Sequence, residues 1–162
     1  MGNQEFLKAY DAYADAIFRH CYFRVFNRER AKDLMQETFA KTWEYFQKGT
    51  VIENLRAFLY KVANNLIIDE SRKRQMTSLE EMQETGFDVG DNSHKQMEFS
   101  AETGQLMKFI QTLDVKYREP IIMKYVDDLS LKEIAEALGE TENNIAVRIH
   151  RGIKRIQEKY EV

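Results

Sequence analysis

The sequence has little of the residues that interrupt helices or cross-link chains. Its 162 residues include one proline, seven glycines and one cysteine. A single cysteine cannot form an internal disulfide, which fits a reducing compartment. Scarce proline and glycine, together with many Ala, Leu, Glu, Lys and Gln residues, favour helix. We therefore expect an all-α protein.

Long apolar runs are also missing. No stretch approaches the roughly 18 apolar residues that a membrane-spanning helix needs. The start, Met1-Gly-Asn-Gln-Glu-Phe, lacks the basic residues and apolar block of a secretory signal. Hydrophobic residues make up 43% of the chain and charged residues 31%, a composition typical of folded soluble domains. The sequence thus predicts a cytoplasmic protein without a membrane span.

The sequence shows no grouping of residues typical of catalysis or metal binding. The histidines, His20, His94 and His150, are scattered, and Cys21 is the single thiol. His20 and Cys21 are neighbours, but adjacent side chains on a helix diverge by about 100°, so they do not predict a ligand pair. No glycine-rich phosphate loop or metal-spaced cluster occurs. We expect no enzyme activity, no cofactor and no metal site.

The charge of the chain is unevenly distributed. The net charge is −3. Seven acids and one lysine lie between Gln75 and Gly104, which gives that stretch −6 and leaves +3 for the rest. Helical periodicity is also lost there, and Gly86 and Gly90 lie among the acids. Residues 75–101 are therefore predicted to be an acidic flexible linker, although they also contain apolar residues that suit docking or packing.

The linker separates two predicted helical domains, residues 1–74 and 102–162. In the first, apolar residues recur at helical spacing around residues 6–21, 31–46 and 55–67. The segment Gly49–Asn54 interrupts this pattern, and Asn54 can cap the helix that follows.

The second domain ends in two short helices that meet at a glycine. Ser130 and Glu133 have the spacing of a capping box, in which each side chain satisfies a backbone N–H of the other residue. Gly139 suits the left-handed end of that helix, and Thr141 can cap the next. This layout is typical of a helix-turn-helix, which places its second helix in the major groove of DNA.

The second helix has an apolar face and a polar one. Ile145, Ile149, Ile153 and Ile156 share one side. Arg and Asn can bind guanine and adenine edges, Lys suits phosphate, and a small apolar side chain can touch a thymine methyl. A charged helix face is commonly only solvated, but here it coincides with both caps and the glycine turn. The predicted DNA contacts are Asn143, Asn144, Val147, Arg148, His150, Arg151 and Lys154.

Two features of the first domain have both structural and functional interpretations. Asp33, Gln36 and Glu37 share a helix face beside aromatic residues, which suits a basic partner surface but also an ordinary solvated face. Arg72-Lys73-Arg74 complements the negative end of a helix without any ligand, and it can also hold phosphates.

In order along the chain, these motifs resemble an extracytoplasmic-function (ECF, group IV) sigma factor of the sigma-70 family. The resemblance rests on Asp33-Leu34-x-Gln36-Glu37-x-Phe39-x-x-x-Trp43, on Phe58-Leu59-Tyr60-x-Val62-Ala63-x-Asn65-x-x-x-Asp69-x-x-Arg72, and on the helix-turn-helix. It covers nearly the whole chain. It implies a region 2 helical bundle and a region 4 helix-turn-helix, joined by the linker.

The resemblance implies roles for residues of the first domain. Region 2 binds the clamp helices of RNA polymerase core, so Asp33, Gln36 and Glu37 are expected to face polymerase while Phe39 and Trp43 support the fold. Region 2 also melts the promoter −10 element, where a loop captures a flipped base. The residues expected at the −10 element are Thr50, Asn54, Asn65, Asp69, Arg72 and Lys73.

For the second domain the resemblance implies recognition of the −35 element and contact with the polymerase flap. Arg148, His150 and Arg151 match the family's Arg-x-His-Arg pattern. Ala146 and Val147 replace the usual Lys and Ser, so the −35 sequence is expected to differ from that of other members. Implied partners are core polymerase, promoter DNA and an anti-sigma factor.

Two other interpretations stay open at this point. One is a helix-turn-helix regulator that binds DNA alone, commonly as a dimer on paired half-sites. The other is a helical protein-interaction adaptor that does not bind DNA. Tight duplex binding without polymerase indicates the first, and promoter transcription that survives Arg148→Ala or Arg151→Ala indicates the second.

A prediction follows for the acidic linker, which in similar proteins threads a basic channel meant for nucleic acid. Neutralising the seven acids between Gln75 and Gly104 removes the charge attraction to that channel. Holoenzyme assembly should weaken, or promoter escape should change. Core binding and the ratio of abortive to full-length transcripts measure the two effects, and no change in either would rule out RNA mimicry.

Overall fold

A computed structural model describes residues 2–85 and 101–160 of the chain, and its described residues are helical with no β-strand. The predicted all-α fold is confirmed. The helices are α1 (Asn3–Val25), α2 (Arg28–Gln47), α3 (Leu55–Thr85), α4 (Ala101–Thr112), α5 (Val115–Tyr125), α6 (Leu131–Leu138) and α7 (Glu142–Tyr160). The chain divides into two compact units, Met1–Gln96 and Met97–Val162.

In the first unit, α1, α2 and α3 pack against one another around an apolar core. Ile17, Ala31, Leu59 and Ala63 are completely buried. The loss of water from such apolar side chains is the main favourable term in folding.

Two buried threonine hydroxyls of the first unit have hydrogen-bond partners on their own helix. Thr38 and Thr42 are completely buried in α2. The Thr38 hydroxyl donates to the Leu34 carbonyl at 2.7 Å, and the Thr42 hydroxyl donates to the Thr38 carbonyl at 2.8 Å. These bonds offset the cost of removing the two hydroxyls from water.

Short turns with specific caps set the helix boundaries of this unit. Phe26 ends α1 in the left-handed conformation with φ 53°, and its N–H donates to the Tyr22 carbonyl at 2.9 Å. Asn27 then caps α2, because its side-chain oxygen accepts from the Arg30 N–H at 3.0 Å. The predicted cap at Asn54 is confirmed, since its side-chain oxygen accepts from the Ala57 N–H at 3.0 Å.

The helix α3 is longer than predicted. The sequence placed the end of the first domain at Arg74, where the apolar period stops, but α3 continues to Thr85. Residues 75–85 contain no glycine or proline, and their Glu, Gln and Met residues favour helix even where no apolar stripe is present. Residues 86–100, the remainder of the predicted acidic linker, lie outside the described residues.

In the second unit, α7 packs against both α5 and α6. Ile122, Met123, Ile134 and Ile145 are almost completely buried. Gly152 of α7 is also buried and faces α5. A Cβ atom at this position would lie 2.4 Å from Ile121 Cδ1 and 3.2 Å from Tyr117 Cβ, both of which belong to buried residues. The absence of a side chain at Gly152 therefore allows the two helices to approach closely.

This close approach yields a stability prediction with a matched control. Gly152→Ala should leave the protein about 1–3 kcal/mol less stable than Gly104→Ala, because the extra methyl overpacks the α5–α7 contact. Gly104 is also helical, in α4, but a Cβ there meets nothing within 4 Å. Its replacement should therefore gain only the better helix propensity of alanine.

Denaturant unfolding measures the difference between the two variants. Hydrogen exchange of the α5 and α7 amides localises it to the second unit. Equal stability of the two variants would contradict tight packing at Gly152.

Candidate nucleic-acid interface

The α6 helix begins with the predicted capping box. The Ser130 N–H donates to Glu133 Oε1 at 3.1 Å, and the Glu133 N–H donates to Ser130 Oγ at 3.1 Å. Gly139 ends the helix in the left-handed conformation with φ 67°. Both predictions are confirmed, and together they fix the direction in which the chain enters the turn.

The predicted cap of α7 is likewise confirmed. Thr141 Oγ1 accepts from the Asn144 N–H at 3.1 Å. Of the predicted apolar side of the helix, Ile145 and Ile149 are buried, whereas Ile153 and Ile156 are half-buried. The first half of α7 is therefore held more firmly against its unit than the second half.

The side of α7 opposite these isoleucines is open to solvent. The structure places all seven predicted DNA contacts there or at its edge. Arg148 is half-buried, and Val147 exposes 38% of its surface. The other five are exposed. The set, called the α7 face, consists of Asn143, Asn144, Val147, Arg148, His150, Arg151 and Lys154.

The turn before α7 contributes an acid that the sequence analysis missed. Glu140 Oε1 accepts from Arg148 Nη2 at 3.0 Å, and Glu140 Oε2 accepts from Asn144 Nδ2 at 3.4 Å. One carboxylate therefore binds two members of the α7 face. The spacing of four and eight residues did not indicate this contact, because Glu140 precedes the Thr141 cap and lies outside α7.

The cations of α7 do not share one environment. The Arg155 guanidinium carbon lies 4.5 Å from the centre of the Tyr117 ring, and Nη2 donates to the Tyr117 hydroxyl at 3.4 Å. Arg151 is exposed one turn earlier. Arg155 thus combines a cation–π contact with packing on α5, whereas Arg151 extends toward solvent.

The first unit carries a second candidate nucleic-acid surface, on α3. Asn65, Asp69, Arg72 and Lys73 are exposed along one side of the helix. Exposed Lys61 and Ile68 border the same row, and the sequence analysis did not select them. A row of mixed polar, cationic and apolar side chains suits contact with both phosphates and unstacked bases.

The loop before α3 holds the other two predicted −10 residues. Thr50 is exposed next to Gly49, which has φ 86°. Asn54 is half-buried, and its side-chain oxygen already accepts from the Ala57 N–H. The structure therefore gives Asn54 a helix-capping role in addition to any contact with DNA.

The α2 acidic face, defined by Asp33, Gln36 and Glu37, is exposed. Glu44 is exposed farther along the same helical row and was missed, because it lies just beyond the Asp33–Trp43 motif. Phe39 is 3% exposed, and its ring lies 4.8 Å from that of Tyr10.

The Trp43 ring lies 4.9 Å from the ring of Phe6 on α1. Together with Phe39, this contact anchors α2 to α1. These aromatic residues support the fold, as expected.

Two sequence expectations concern absences. Among residues 2–85 and 101–160, no group of three or more His, Cys, Asp or Glu side chains is arranged to hold a metal ion. No helix within those ranges is long and apolar enough to cross a membrane.

Family models match both units in chain order. The model described as Sigma-70 region 2 matches residues 9–77, and the model described as Sigma-70, region 4 matches residues 103–156. The α2 acidic face and the predicted −10 residues lie within the first match. The α7 face lies within the second.

Known relatives resemble the chain over most of its length. The ECF RNA polymerase sigma factor SigW of Bacillus subtilis is 31% identical, over 93% of this chain and 87% of SigW. RNA polymerase sigma factor SigV of the same organism is 28% identical, over 85% of this chain and 80% of SigV. The ECF RNA polymerase sigma factor SigE of Mycolicibacterium smegmatis is 26% identical over 97% of this chain, which spans only 63% of SigE.

Solved structures share the fold. The sigma factor RpoE from Bartonella quintana, solved with the anti-sigma factor NepR, matches with a TM-score of 0.77 and 22% identity, over 98% of this chain and 99% of RpoE. CnrH, solved with the cytosolic domain of CnrY, matches with a TM-score of 0.68 and 21% identity, over 97% of this chain and 88% of CnrH.

Proposed function

The chain belongs to the ECF group of sigma-70 RNA polymerase sigma factors, and we propose that it starts transcription at specific promoters by dividing DNA recognition between its two helical units. The family is one of non-enzymatic initiation factors. The proposed division is region 2 in residues 1–74, an acidic connection in residues 75–101 and region 4 in residues 102–162. Its proposed partners are core polymerase, promoter DNA and an anti-sigma factor, and its proposed location is the cytoplasm.

The α7 face is the observation that carries this proposal. A helix that reads DNA needs one side fixed to its domain and the other side free for base edges. Ile145 and Ile149 provide the fixed side, and the α7 face presents hydrogen-bond donors on the other. Arginine and asparagine are the side chains best suited to bidentate contacts with guanine and adenine. We therefore propose that α7 enters the major groove at the −35 element.

The first unit is proposed to act on both polymerase and the −10 element. The α2 acidic face provides negative charge and hydrogen-bond acceptors for a basic helical partner such as the polymerase clamp. Thr50 and the exposed row on α3 are proposed to hold the melted −10 strand, with Arg72 and Lys73 at phosphates. Asn54 is proposed to act mainly by setting where α3 begins, since its side-chain oxygen is already engaged.

Reconstitution with bacterial core polymerase, followed by run-off transcription on genomic fragments, tests the proposal as a whole. The holoenzyme should initiate at a defined subset of fragments that core alone does not use. Failure to bind core would overturn the proposal. Tight binding of duplex DNA by the purified chain without polymerase would instead favour a stand-alone regulator.

Core binding should depend on the charges of the α2 acidic face. The double variant Asp33→Asn and Glu37→Gln should lower affinity for core by about 30-fold or more, because truncating or neutralising desolvated interface charges commonly costs about 2 kcal/mol or more. The loss should shrink as salt is raised. Titration of labelled chain against core measures the affinity at each salt concentration.

A control pair of the same geometry exists on α1. Asp11 and Asp15 are also exposed and four residues apart. Replacing both with Asn removes the same charge from a different surface, and core affinity should stay near its original value. Equal losses in the two double variants would point to net charge rather than to a binding site on α2.

The different environments of Arg151 and Arg155 give a test of −35 recognition. Arg151→Ala should weaken holoenzyme binding to a selected promoter about 5- to 150-fold and relax the base preference at one position, because a bidentate contact contributes roughly 1–3 kcal/mol of discrimination. Arg155→Ala removes the same charge one turn later but should leave base preference intact, since its guanidinium packs on Tyr117.

Competition between matched and mismatched −35 duplexes measures the base preference. Salt must be held constant, since phosphate contacts make the affinity strongly salt-dependent. An unchanged base preference in Arg151→Ala would contradict base reading by Arg151. Equal relaxation in both variants would instead show that the Tyr117 contact does not withdraw Arg155 from recognition.

A further inference from the structure

Glu140 occupies an unusual position for an acid if α7 reads DNA. It lies in the turn immediately before the Thr141 cap, at the end of α7 that approaches base edges in a helix-turn-helix. A carboxylate there faces the same phosphates and bases that the α7 face is proposed to contact. Its own hydrogen bonds indicate how it contributes.

Both carboxylate oxygens of Glu140 accept hydrogen bonds from side chains that are proposed to contact DNA. Oε1 accepts from Arg148 Nη2 at 3.0 Å, and Oε2 accepts from Asn144 Nδ2 at 3.4 Å. The side chains of Glu140 and Arg148 are 32% and 30% exposed, so the pair is neither buried nor fully solvated. Arg148 is therefore restrained near its free end, whereas Arg151 extends into solvent without such a neighbour among the hydrogen bonds described for α7.

This restraint affects which DNA groups Arg148 can reach. An unrestrained arginine can turn to any nearby phosphate, and phosphate contacts carry no sequence information. A guanidinium has five N–H donors in a planar fork, so one bond to Glu140 leaves donors available for the O6 and N7 atoms of guanine. The Glu140 carboxylate thus holds the Arg148 side chain in a conformation that suits base contacts, instead of leaving it free to turn toward phosphates.

The charge of Glu140 acts in the same direction. Non-specific binding comes almost entirely from cations at phosphates. A negative charge beside the start of α7 repels phosphate and competes with it for Arg148. This competition therefore weakens non-specific complexes more than the specific complex, in which Arg148 and Asn144 bind bases.

We propose that Glu140 is a specificity-determining residue for −35 recognition, which holds Arg148 and Asn144 for base contacts and suppresses their use at phosphates. This inference rests on the proposed function of the α7 face. Glu140 does not itself need to touch DNA, since it acts as a positioning residue through its two partners.

The test compares Glu140→Gln with Glu142→Gln in reconstituted holoenzyme. Glutamine keeps the length of the side chain but removes its charge. Glu142 is an exposed acid two residues away, so its replacement changes the local charge equally without breaking the Glu140 bonds. The probe is a duplex promoter library randomised across the −35 element, and sequencing of bound and unbound DNA gives the preference at each position.

Glu140→Gln should reduce discrimination between preferred and disfavoured −35 sequences about two- to fivefold, the range expected for a partly exposed ion pair. The loss should come from tighter retention of disfavoured sequences and of a scrambled duplex. Glu142→Gln should tighten binding to all sequences alike and leave discrimination unchanged. Equal effects of the two variants would overturn the proposal, because they would reflect charge alone.

Repeating Glu140→Gln in an Arg148→Ala background separates this inference from the proposed function. The effect of Glu140→Gln should fall by at least half there, with Asn144 accounting for the remainder. If Arg148→Ala itself leaves the selected sequences unchanged, the proposed role of Arg148 fails. If Arg148→Ala changes the selection but Glu140→Gln does not, or the two effects are additive, the role of Glu140 alone fails.

Discussion

The packing of α7 on α5 and α6 is the constraint on which the rest of the second unit depends. Burial of Ile145 and Ile149 fixes the rotation of α7 about its axis, and the missing side chain at Gly152 allows α5 to approach closely. A rotation by one residue would turn the helix by about 100° and carry the α7 face toward the core. The proposed recognition of DNA by this helix therefore depends on a few apolar contacts on its opposite side.

In α7, neighbouring side chains give three chemically identical arginines different environments. Arg148, Arg151 and Arg155 lie within two turns of one another. Arg148 is half-buried and bonded to Glu140, Arg151 is exposed, and Arg155 is exposed but also contacts Tyr117. A guanidinium that is held by a partner binds DNA through its remaining donors, whereas an exposed one loses mainly water and conformational freedom when it binds. The three arginines are therefore expected to differ in what they contribute to affinity and to selectivity.

Local structure was well predicted where a side chain bonds to the backbone a few residues away. The caps at Asn54, Ser130 and Thr141 and the turn at Gly139 need only residues within a few positions. The extent of α3 was missed, because the sequence argument equated the end of the apolar stripe with the end of the helix. Helix propensity continues past Arg74, and a helix does not need a buried side along its whole length.

The sequence by itself determined the helical class, the order of the two motif sets and the polar side of α7, because periodicity and capping are local properties of the chain. The tertiary structure decided which cations extend into solvent alone and which also contact a neighbouring side chain. Glu140 lies eight residues from Arg148, and Tyr117 lies thirty-eight from Arg155. The second separation follows from how α5 packs on α7, and no local pattern in the sequence encodes it. Even the first depends on the path of the chain through the Gly139 turn, which brings an acid outside α7 to the side chains along it.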